Sequence, residues 1–168
     1  MATAIGANRA AFDARAVAEA TGGRIVRGTP GRRANGVTTD SRAVVPGGAF
    51  VALRGEKHDA HGFVGAAIDA GASLVVVERG RAPDDARADA VEVDDTLAAW
   101  GAMARAHLRA WRSANGAARV VAITGSAGKT TTKELCAALL AAAGETIATV
   151  GNLNNRIGVP ATALTVCT

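Results

Sequence analysis

The sequence predicts an α/β protein in which a small mixed α/β N-terminal domain is followed by the opening β-α-β unit of a second, parallel-sheet domain. Three observations predict this. Short apolar, β-branched runs alternate with helical patterns through roughly the first ninety residues, as in sheets covered by helices. Further along, an apolar run leads through a glycine-rich loop into another helical pattern. The 168 residues, 49% hydrophobic and 20% charged, suffice for one domain and part of another.

In the first domain, each expected element is bounded by a turn signal. Asp13 is a candidate N-cap for a helix that the Gly22-Gly23 pair ends. The β-branched runs predict strands, and the segment before Gly71 predicts a second helix. The expected strands cover residues 24–27, 37–39, 49–53, 73–78 and 91–93, and the expected helix covers residues 61–70.

A third helix follows the last of these strands and leads to a new unit. Asp94, Asp95 or Thr96 can cap it. Its predicted apolar stripe is Leu97, Trp100, Ala104, Leu108 and Trp111. This helical spacing explains both tryptophans as packing residues without a ligand. We place the domain boundary near residues 93–94, which gives domains 1–93 and 94–168.

Charge and composition exclude several classes of protein. The formal charge is +4, but the positive residues are mostly scattered arginines without interleaved aromatic residues, which does not favour nucleic-acid binding. No run approaches the roughly 18 apolar residues of a membrane span. The start lacks the regions of a secretory signal, and Cys136 and Cys167 have no metal or disulfide spacing. We therefore expect a cytoplasmic protein with no nucleic-acid or membrane partner.

The most informative segment predicts a phosphate-binding loop. An expected strand over residues 120–124 runs into Gly125-Ser126-Ala127-Gly128, and a helix is expected from Lys129 onward. Small residues let successive backbone N–H groups face a phosphate at a helix N-terminus. In that role Lys129 would reach the β- and γ-phosphates of a nucleotide, and the Thr130 hydroxyl would bind Mg²⁺. The strict P-loop pattern is not met, since its first glycine would fall at Ile123, so a glycine turn with a solvated lysine is the alternative.

A second polar segment follows the next expected strand, over residues 146–150. It begins Gly151-Asn152-Leu153-Asn154-Asn155. Ligands of parallel sheets lie beyond the carboxyl ends of the strands, so Asn152, Asn154 and Asn155 would face the same crevice as the phosphate loop. Asparagine clusters also form turns without any ligand, and position alone leaves both interpretations open.

Together these segments resemble the Mur ligase family. The resemblance is carried by residues 124–131 and 151–160, by Thr39-Asp40-Ser41-Arg42 and by residues 46–61, and it covers the chain from about Phe12. Its most specific element, Gly-Asn-Leu-Asn-Asn, resembles the branch that adds D-alanyl-D-alanine to UDP-N-acetylmuramoyl-tripeptide in peptidoglycan synthesis. Another branch such as MurE, a non-catalytic module that binds a UDP-sugar or nucleotide, and an unrelated P-loop kinase or NTPase are the alternatives.

The resemblance implies an ATP site and a UDP-substrate site. The ATP site would consist of Gly125, Ser126, Ala127, Gly128, Lys129, Thr130 and Thr131, with Lys129 and Thr130 catalytic and Thr130 near Mg²⁺. The UDP-substrate site would consist of Asp40, Ser41, Arg42, Lys57 and His61, with Asn152, Asn154 and Asn155 in a substrate-side loop. An exposed salt bridge is the alternative for Arg42, and a helix cap or core position is the alternative for His61.

The resemblance also implies the chemistry. ATP phosphorylates the terminal carboxylate of the UDP-muramoyl-tripeptide, and the amine of D-alanyl-D-alanine displaces phosphate from that acyl phosphate. A carboxylate is already a nucleophile at neutral pH, so the protein's contribution is positioning and neutralisation of charge by Lys129 and Mg²⁺. Family members continue through further Mg²⁺ ligands and a C-terminal domain. We therefore expect this chain alone to be an inactive fragment that can self-associate, and the full-length enzyme to be a monomer.

Overall fold

The computed structural model describes residues 8–55, 58–151 and 153–166. The helices are α1 (Ala14–Thr21), α2 (Val64–Asp69), α3 (Thr96–Ala114), α4 (Lys129–Ala141) and α5 (Gly158–Ala163), with 3₁₀ helices at Ser41–Ala43 and Ala60–Phe63. The strands are β1 (Ala11–Phe12), β2 (Arg24–Arg27), β3 (Ala34–Asn35), β4 (Val37–Thr38), β5 (Ala49–Val51), β6 (Leu74–Glu78) and β7 (Asp89–Val93). The predicted α/β class is confirmed. None of the helices in these ranges combines the length and apolar character that crossing a bilayer requires.

A five-stranded sheet forms the centre of the fold. Its order is β2-β7-β6-β5-β4. The strands β4, β5, β6 and β7 are parallel, and β2 pairs antiparallel with β7 at one edge. The strands β1 and β3 form a separate antiparallel pair that the sequence did not predict. Because four neighbouring strands point the same way, their carboxyl ends meet at one edge of the sheet.

Side chains of the central strands alternate between two apolar layers. Val75 and Val77 pack with α2, whereas Leu74 and Val76 pack with α1 and α3. All four are buried. Successive side chains of a strand point to opposite faces, so an unbroken apolar run is stable in a sheet only when helices cover both faces. The run in β6 therefore requires helices on both sides.

Local sequence sets the helix ends largely as predicted. Asp13 accepts a first-turn backbone N–H of α1 at 2.7 Å, and Gly22 ends that helix with a left-handed φ of 72°. Asp95 caps α3 and accepts two first-turn N–H groups, at 2.7 and 3.0 Å. The helix expected over residues 61–70 is divided into a 3₁₀ turn and α2.

Helix α3 packs into the same apolar layer as α1. Its buried residues are Thr96, Ala99, Trp100, Met103, Ala104 and His107. The predicted stripe is therefore rotated, since Leu97, Leu108 and Trp111 are only half-buried. In a helix this rich in alanine more than one face is apolar enough to be buried, and packing against the sheet selects among them.

The domain boundary predicted near residues 93–94 falls between β7 and α3. It stays a prediction. Trp100 and Met103 are fully buried in the core that α1 and the sheet form, so α3 belongs structurally with the elements before it. This packing favours a boundary after Ala114.

The chain between α3 and α5 contributes little to this core. Helix α4 forms as predicted, but none of its residues is buried. The flanking segments 120–124 and 146–150, predicted as strands, have no strand pairing. A strand needs a neighbour to pair its backbone groups, and the described part of the chain places none beside these segments. Helix α5 returns to α3, where Ala161 and Leu164 join the core.

Two buried acidic side chains of β7, Asp89 and Glu92, were not predicted. Glu92 is 3% exposed and accepts from Arg24 Nη2 at 2.6 Å and from the Gly80 N–H at 2.9 Å. The hydrogen bond from Arg24 lowers the pKa of Glu92 below its ordinary value of 4.5. Asp89 likewise accepts from the Thr29 N–H and hydroxyl, at 3.1 and 2.8 Å. These carboxylates attach β2 and the loop after it to the centre of the sheet.

We expect Glu92→Gln to lower the free energy of unfolding at pH 7 by about 1–3 kcal/mol, because it weakens a buried, charge-assisted hydrogen bond. The pKa of Glu92 is lower in the folded state. Its stabilisation is therefore complete above the ordinary value of 4.5 and is lost as the pH falls through the folded pKa. The difference between wild type and variant should shrink below that pH in urea titrations. Glu19→Gln, which breaks an exposed pair with Arg15, is the control and should cost no more than about 0.5 kcal/mol.

Candidate functional site

The carboxyl edge of the sheet holds the residues predicted to bind a UDP substrate. Asp40 directly precedes the 3₁₀ helix that contains Ser41 and Arg42, just after β4, and His61 lies in the 3₁₀ helix after β5. The structure brings them to one edge because β4 and β5 are parallel neighbours. Lys57 lies outside the described residues.

Asp40 and Arg42 form a paired unit at this edge. The Asp40 carboxylate accepts the Arg42 backbone N–H at 3.0 Å, its Nε at 2.9 Å and its Nη2 at 2.7 Å. These bonds lower the pKa of Asp40. The Arg42 side chain is 83% exposed. The salt bridge weighed as the alternative for Arg42 is thus present, but the guanidinium retains N–H groups that face solvent. The Ser41 hydroxyl makes no hydrogen bond to any residue that the structure describes.

His61 is a hydrogen-bonded residue of the interior. Its side chain is 3% exposed. The Glu78 N–H donates to Nε2 at 2.9 Å, so the ring proton lies on Nδ1, which donates to the Asp59 carboxylate at 2.5 Å. The backbone N–H and the imidazole of His61 lower the pKa of Asp59. This arrangement matches the core-histidine alternative, because a ligand would have to displace one of two existing partners.

Ion pairs that sequence reasoning missed lie along the same edge. They are Arg54–Glu78 at 3.1 Å, Arg81–Asp59 at 3.2 Å and Arg79–Asp94. The available signal was that charged residues stand at or just after the ends of the predicted strands. The pairs hold guanidinium groups at an exposed edge, where an anionic ligand could bind the N–H groups that the carboxylates leave free.

The predicted phosphate loop forms a turn that leads into α4. Gly128 is the N-cap with a φ of 76°, a left-handed conformation that favours glycine. Lys129 Nζ donates to the carbonyl oxygens of Gly125, at 2.5 Å, and Ser126, at 3.3 Å. The ammonium therefore lies against the loop. In the described ranges no acceptor faces the backbone N–H groups of Lys129, Thr130 and Thr131. A cation beside unpaired helix N-terminal donors fits a phosphate group.

The same loop offers little to a metal ion by itself. The Thr130 hydroxyl is exposed and fits one oxygen ligand of Mg²⁺. Within residues 8–55, 58–151 and 153–166, no group of three His, Cys, Asp or Glu side chains is arranged to hold a metal. Any Mg²⁺ beside Thr130 would depend on phosphate oxygens, water and residues outside this set.

The asparagines of the second polar segment differ in their contacts. Asn155 Oδ1 accepts the Ile157 N–H at 3.0 Å and the Gly158 N–H at 2.8 Å, and so shapes the turn into α5. This is the turn-forming behaviour weighed as the alternative. Asn154 is exposed, and its side chain has no hydrogen bond within the described part of the chain. Asn152 lies outside the described residues.

Unpredicted contacts hold this second polar segment, residues 151–157, on both sides. We call it the asparagine loop. Before it, Lys133 Nζ donates to the Thr149 carbonyl at 2.6 Å and connects the segment to α4. After it, Trp100 Nε1 donates to the Ile157 carbonyl at 2.9 Å and connects the segment to α3. The sequence predicted Trp100 as a packing residue, and its buried ring confirms that role, but the indole N–H also binds the end of the loop.

Two family matches cover the regions just described. Residues 33–108 match the Mur ligase family, catalytic domain, and include the carboxyl edge of the sheet. Residues 123–168 match the Mur ligase middle domain and include both loops. The chain belongs to the Mur ligase family. The resemblance predicted from the sequence is therefore confirmed, and the second match supports the start of a nucleotide-binding domain.

The relatives of this Mur ligase chain include proteins named for one reaction. UDP-N-acetylmuramoyl-tripeptide–D-alanyl-D-alanine ligase of Escherichia coli (strain K12) is 48% identical over 128 residues, which cover 76% of this chain and 26% of that protein. MurF from Acinetobacter baumannii has a TM-score of 0.81 at 37% identity, over 95% of this chain and 34% of its own. MurF from Thermotoga maritima, in complex with ADP, has a TM-score of 0.66 at 32% identity, over 79% of this chain and 29% of its own. The chain thus spans about a quarter to a third of these proteins.

Two glycine substitutions should shift stability in opposite directions. A Cβ at Gly158 would lie 2.6 Å from both Cα and Cβ of Leu153, so we expect Gly158→Ala to cost about 1–3 kcal/mol and to displace the asparagine loop. A Cβ at Gly101, inside α3, would meet nothing within 4 Å, and Gly101→Ala should stabilise by about 0.5–1 kcal/mol. Urea unfolding of both variants measures the difference. A stable Gly158→Ala would mean that the approach of Leu153 can relax.

Proposed function

We propose that this chain is part of an ATP-dependent ligase that joins D-alanyl-D-alanine to UDP-N-acetylmuramoyl-tripeptide in peptidoglycan synthesis. The observation that supports it most is the turn before α4, where Lys129 lies against the loop beside unpaired N–H groups. Similarity to proteins named for that reaction supports the choice of substrates.

The nucleotide phosphates would bind at the start of α4. Lys129 would exchange two neutral carbonyl partners for anionic phosphate oxygens, and charge-assisted hydrogen bonds are shorter and stronger. The free N–H groups of residues 129–131 would donate to the same oxygens. Mg²⁺, when bound, would neutralise phosphate charge, and Thr130 is the described residue that fits as one of its ligands.

The UDP part of the muramoyl substrate would bind at the carboxyl edge of the sheet. Arg42 keeps one guanidinium nitrogen, Nη1, free of its bidentate pair with Asp40, and the neighbouring Ser41 hydroxyl has a free donor. Both suit pyrophosphate or uracil oxygens. Lys57 is proposed for the same site from the resemblance alone. His61, whose ring nitrogens are both bonded, would support the edge by linking Asp59 to β6.

The proposed reaction has two steps. A carboxylate oxygen of the tripeptide attacks the γ-phosphorus of ATP, and ADP leaves. The D-alanyl-D-alanine amine then attacks the acyl carbon, inorganic phosphate leaves, and the nitrogen loses a proton as the amide forms. Lys129 would neutralise the charge that develops on the transferred phosphoryl group. Asn154, whose amide is free, would meet the reacting end of the substrate.

The location and assembly inferred from the sequence stay predictions. A cytoplasmic enzyme that is monomeric at full length is compatible with the proposed small-molecule substrates. Self-association of this chain is supported by the exposed apolar side chains of α4, Leu135 and Leu139.

We expect Lys129→Ala to weaken ATP binding about 10- to 100-fold, because a charge-assisted contact to phosphate is lost. Isothermal titration of the full-length ligase that contains this segment measures the change. Lys133→Ala is the matched control on the same helix, since the Lys133 ammonium binds Thr149 and Glu134. The affinity of this variant for ATP should change less than about threefold. Unchanged ATP affinity in a folded Lys129→Ala variant would remove Lys129 from the site.

We expect Arg42→Ala to raise the KM for the UDP-muramoyl-tripeptide about tenfold and to leave the KM for ATP unchanged, because the guanidinium is proposed to contact the UDP oxygens. Steady-state ADP release in the full-length ligase measures both constants. Arg15→Ala, which removes another exposed, ion-paired arginine, is the control. If both variants behave alike, Arg42 serves only its salt bridge with Asp40.

A further inference from the structure

We propose that Trp100 is a positioning residue for the asparagine loop of the proposed ligase: through its indole N–H it holds the Ile157 peptide and thereby the placement of Asn154. This inference rests on the proposed function for its catalytic consequence. That the Trp100 hydrogen bond holds the loop in place does not depend on that function.

The backbone of Ile157 is held by a clamp of two hydrogen bonds, one on its N–H and one on its carbonyl. Its N–H donates to Asn155 Oδ1 at 3.0 Å, and its carbonyl accepts Trp100 Nε1 at 2.9 Å. One bond comes from the loop itself, and the other comes from the fully buried side chain of a different element. Asn154 lies three residues before this clamp and has no side-chain hydrogen bond of its own in the described residues. Its position therefore depends on the backbone that the clamp holds.

Contacts at the carboxyl edge of the sheet fix the start of α3 and thereby the position of Trp100. Asp95 caps α3 immediately after β7, and the Thr96 hydroxyl accepts the Arg54 N–H at 3.3 Å, just beyond β5. Trp100 follows one turn later on the buried face of α3. A single side chain thus connects the edge proposed to bind the UDP substrate with the loop proposed to meet its reacting end.

The fold does not depend on this bond. The Ile157 carbonyl also accepts the Ala161 N–H, at 3.2 Å, so losing the indole leaves no unpaired buried acceptor. Helix α5 keeps its buried Ala161 and Leu164, and His107 Nε2 donates to the Val166 carbonyl at 2.8 Å. Phenylalanine retains most of the ring volume at position 100. Trp100→Phe should therefore loosen the loop and leave α5 docked.

The test has an activity arm in the full-length ligase. We expect Trp100→Phe to lower kcat about tenfold with less than a twofold change in the KM for ATP. Combined with Asn154→Ala, it should cause no further loss beyond the more severe single variant, because residues that act through one another are not additive. Trp111→Phe is the matched control: Trp111 is half-buried on the same helix, and its indole N–H has no hydrogen bond to a described residue.

An exchange arm uses the 168-residue chain and needs no activity. Trp100→Phe should speed amide hydrogen exchange at Ile157 and Gly158 about tenfold or more while α1 keeps its protection. If this variant fails to fold, Asn155→Ala, which releases the other side of the clamp, should show the same non-additivity with Asn154→Ala in the activity arm.

The outcomes separate the inference from the proposed function. If the wild-type ligase shows no D-alanyl-D-alanine-dependent ADP release, the proposed function is wrong. The hydrogen-exchange measurement still decides whether Trp100 holds the loop. Normal release combined with multiplicative losses for Trp100→Phe and Asn154→Ala overturns the positioning role. Unchanged exchange at Ile157 overturns it as well.

Discussion

The fold depends on one constraint: the central strands bury side chains on both faces of the sheet. Val75 and Val76 are neighbours in sequence, yet one packs under α2 and the other under α1 and α3. Water must be excluded from both sides, so helices cover both faces. Polar groups that a ligand can reach are thereby confined to the ends of the strands and to the loops beyond the core. The UDP candidates lie at the carboxyl edge, as ligand sites of parallel sheets do, and the predicted phosphate loop lies outside the core before α4.

The predictable part of this structure was local. The cap at Asp13 and the main strands follow from residues close in sequence, and they agree with the structure; for α3 the sequence offered Asp94, Asp95 or Thr96, and Asp95 is the cap. The buried face of α3 could not be predicted in the same way, because Ala-rich helices offer several apolar faces and only the neighbouring elements select one. Strand formation over residues 120–124 also depends on a partner elsewhere in the chain, and sequence pattern alone does not report one.

Candidate site residues showed the same limit. Small residues before Lys129 predicted a glycine turn at the start of a helix, and that local geometry is present. Arg42 and His61 have structural partners: Asp40 and Asp59 each lie two residues before them, a spacing typical of Asx turns, whereas the contact of His61 with the Glu78 N–H joins residues 17 positions apart and has no local signal. A family resemblance assigns a residue to a site, whereas its hydrogen bonds decide whether it contacts a ligand or supports a residue that does. Asn154 and Asn155 illustrate this division within one loop.

The contact between α3 and α5 also has a consequence for synthesis on the ribosome. Trp100 and Ile157 are separated by 57 positions, so α3 leaves the exit tunnel well before the segment that packs against it. At about 5–20 residues per second, roughly 3 to 11 seconds separate the exit of Trp100 from the exit of Ile157. During that interval α1 and the sheet can already pack on α3, but the surface that receives Ala161 and Leu164 is open to solvent. Closing so long a loop carries an entropic cost, so the packing of α5 against α3 is a late step in folding.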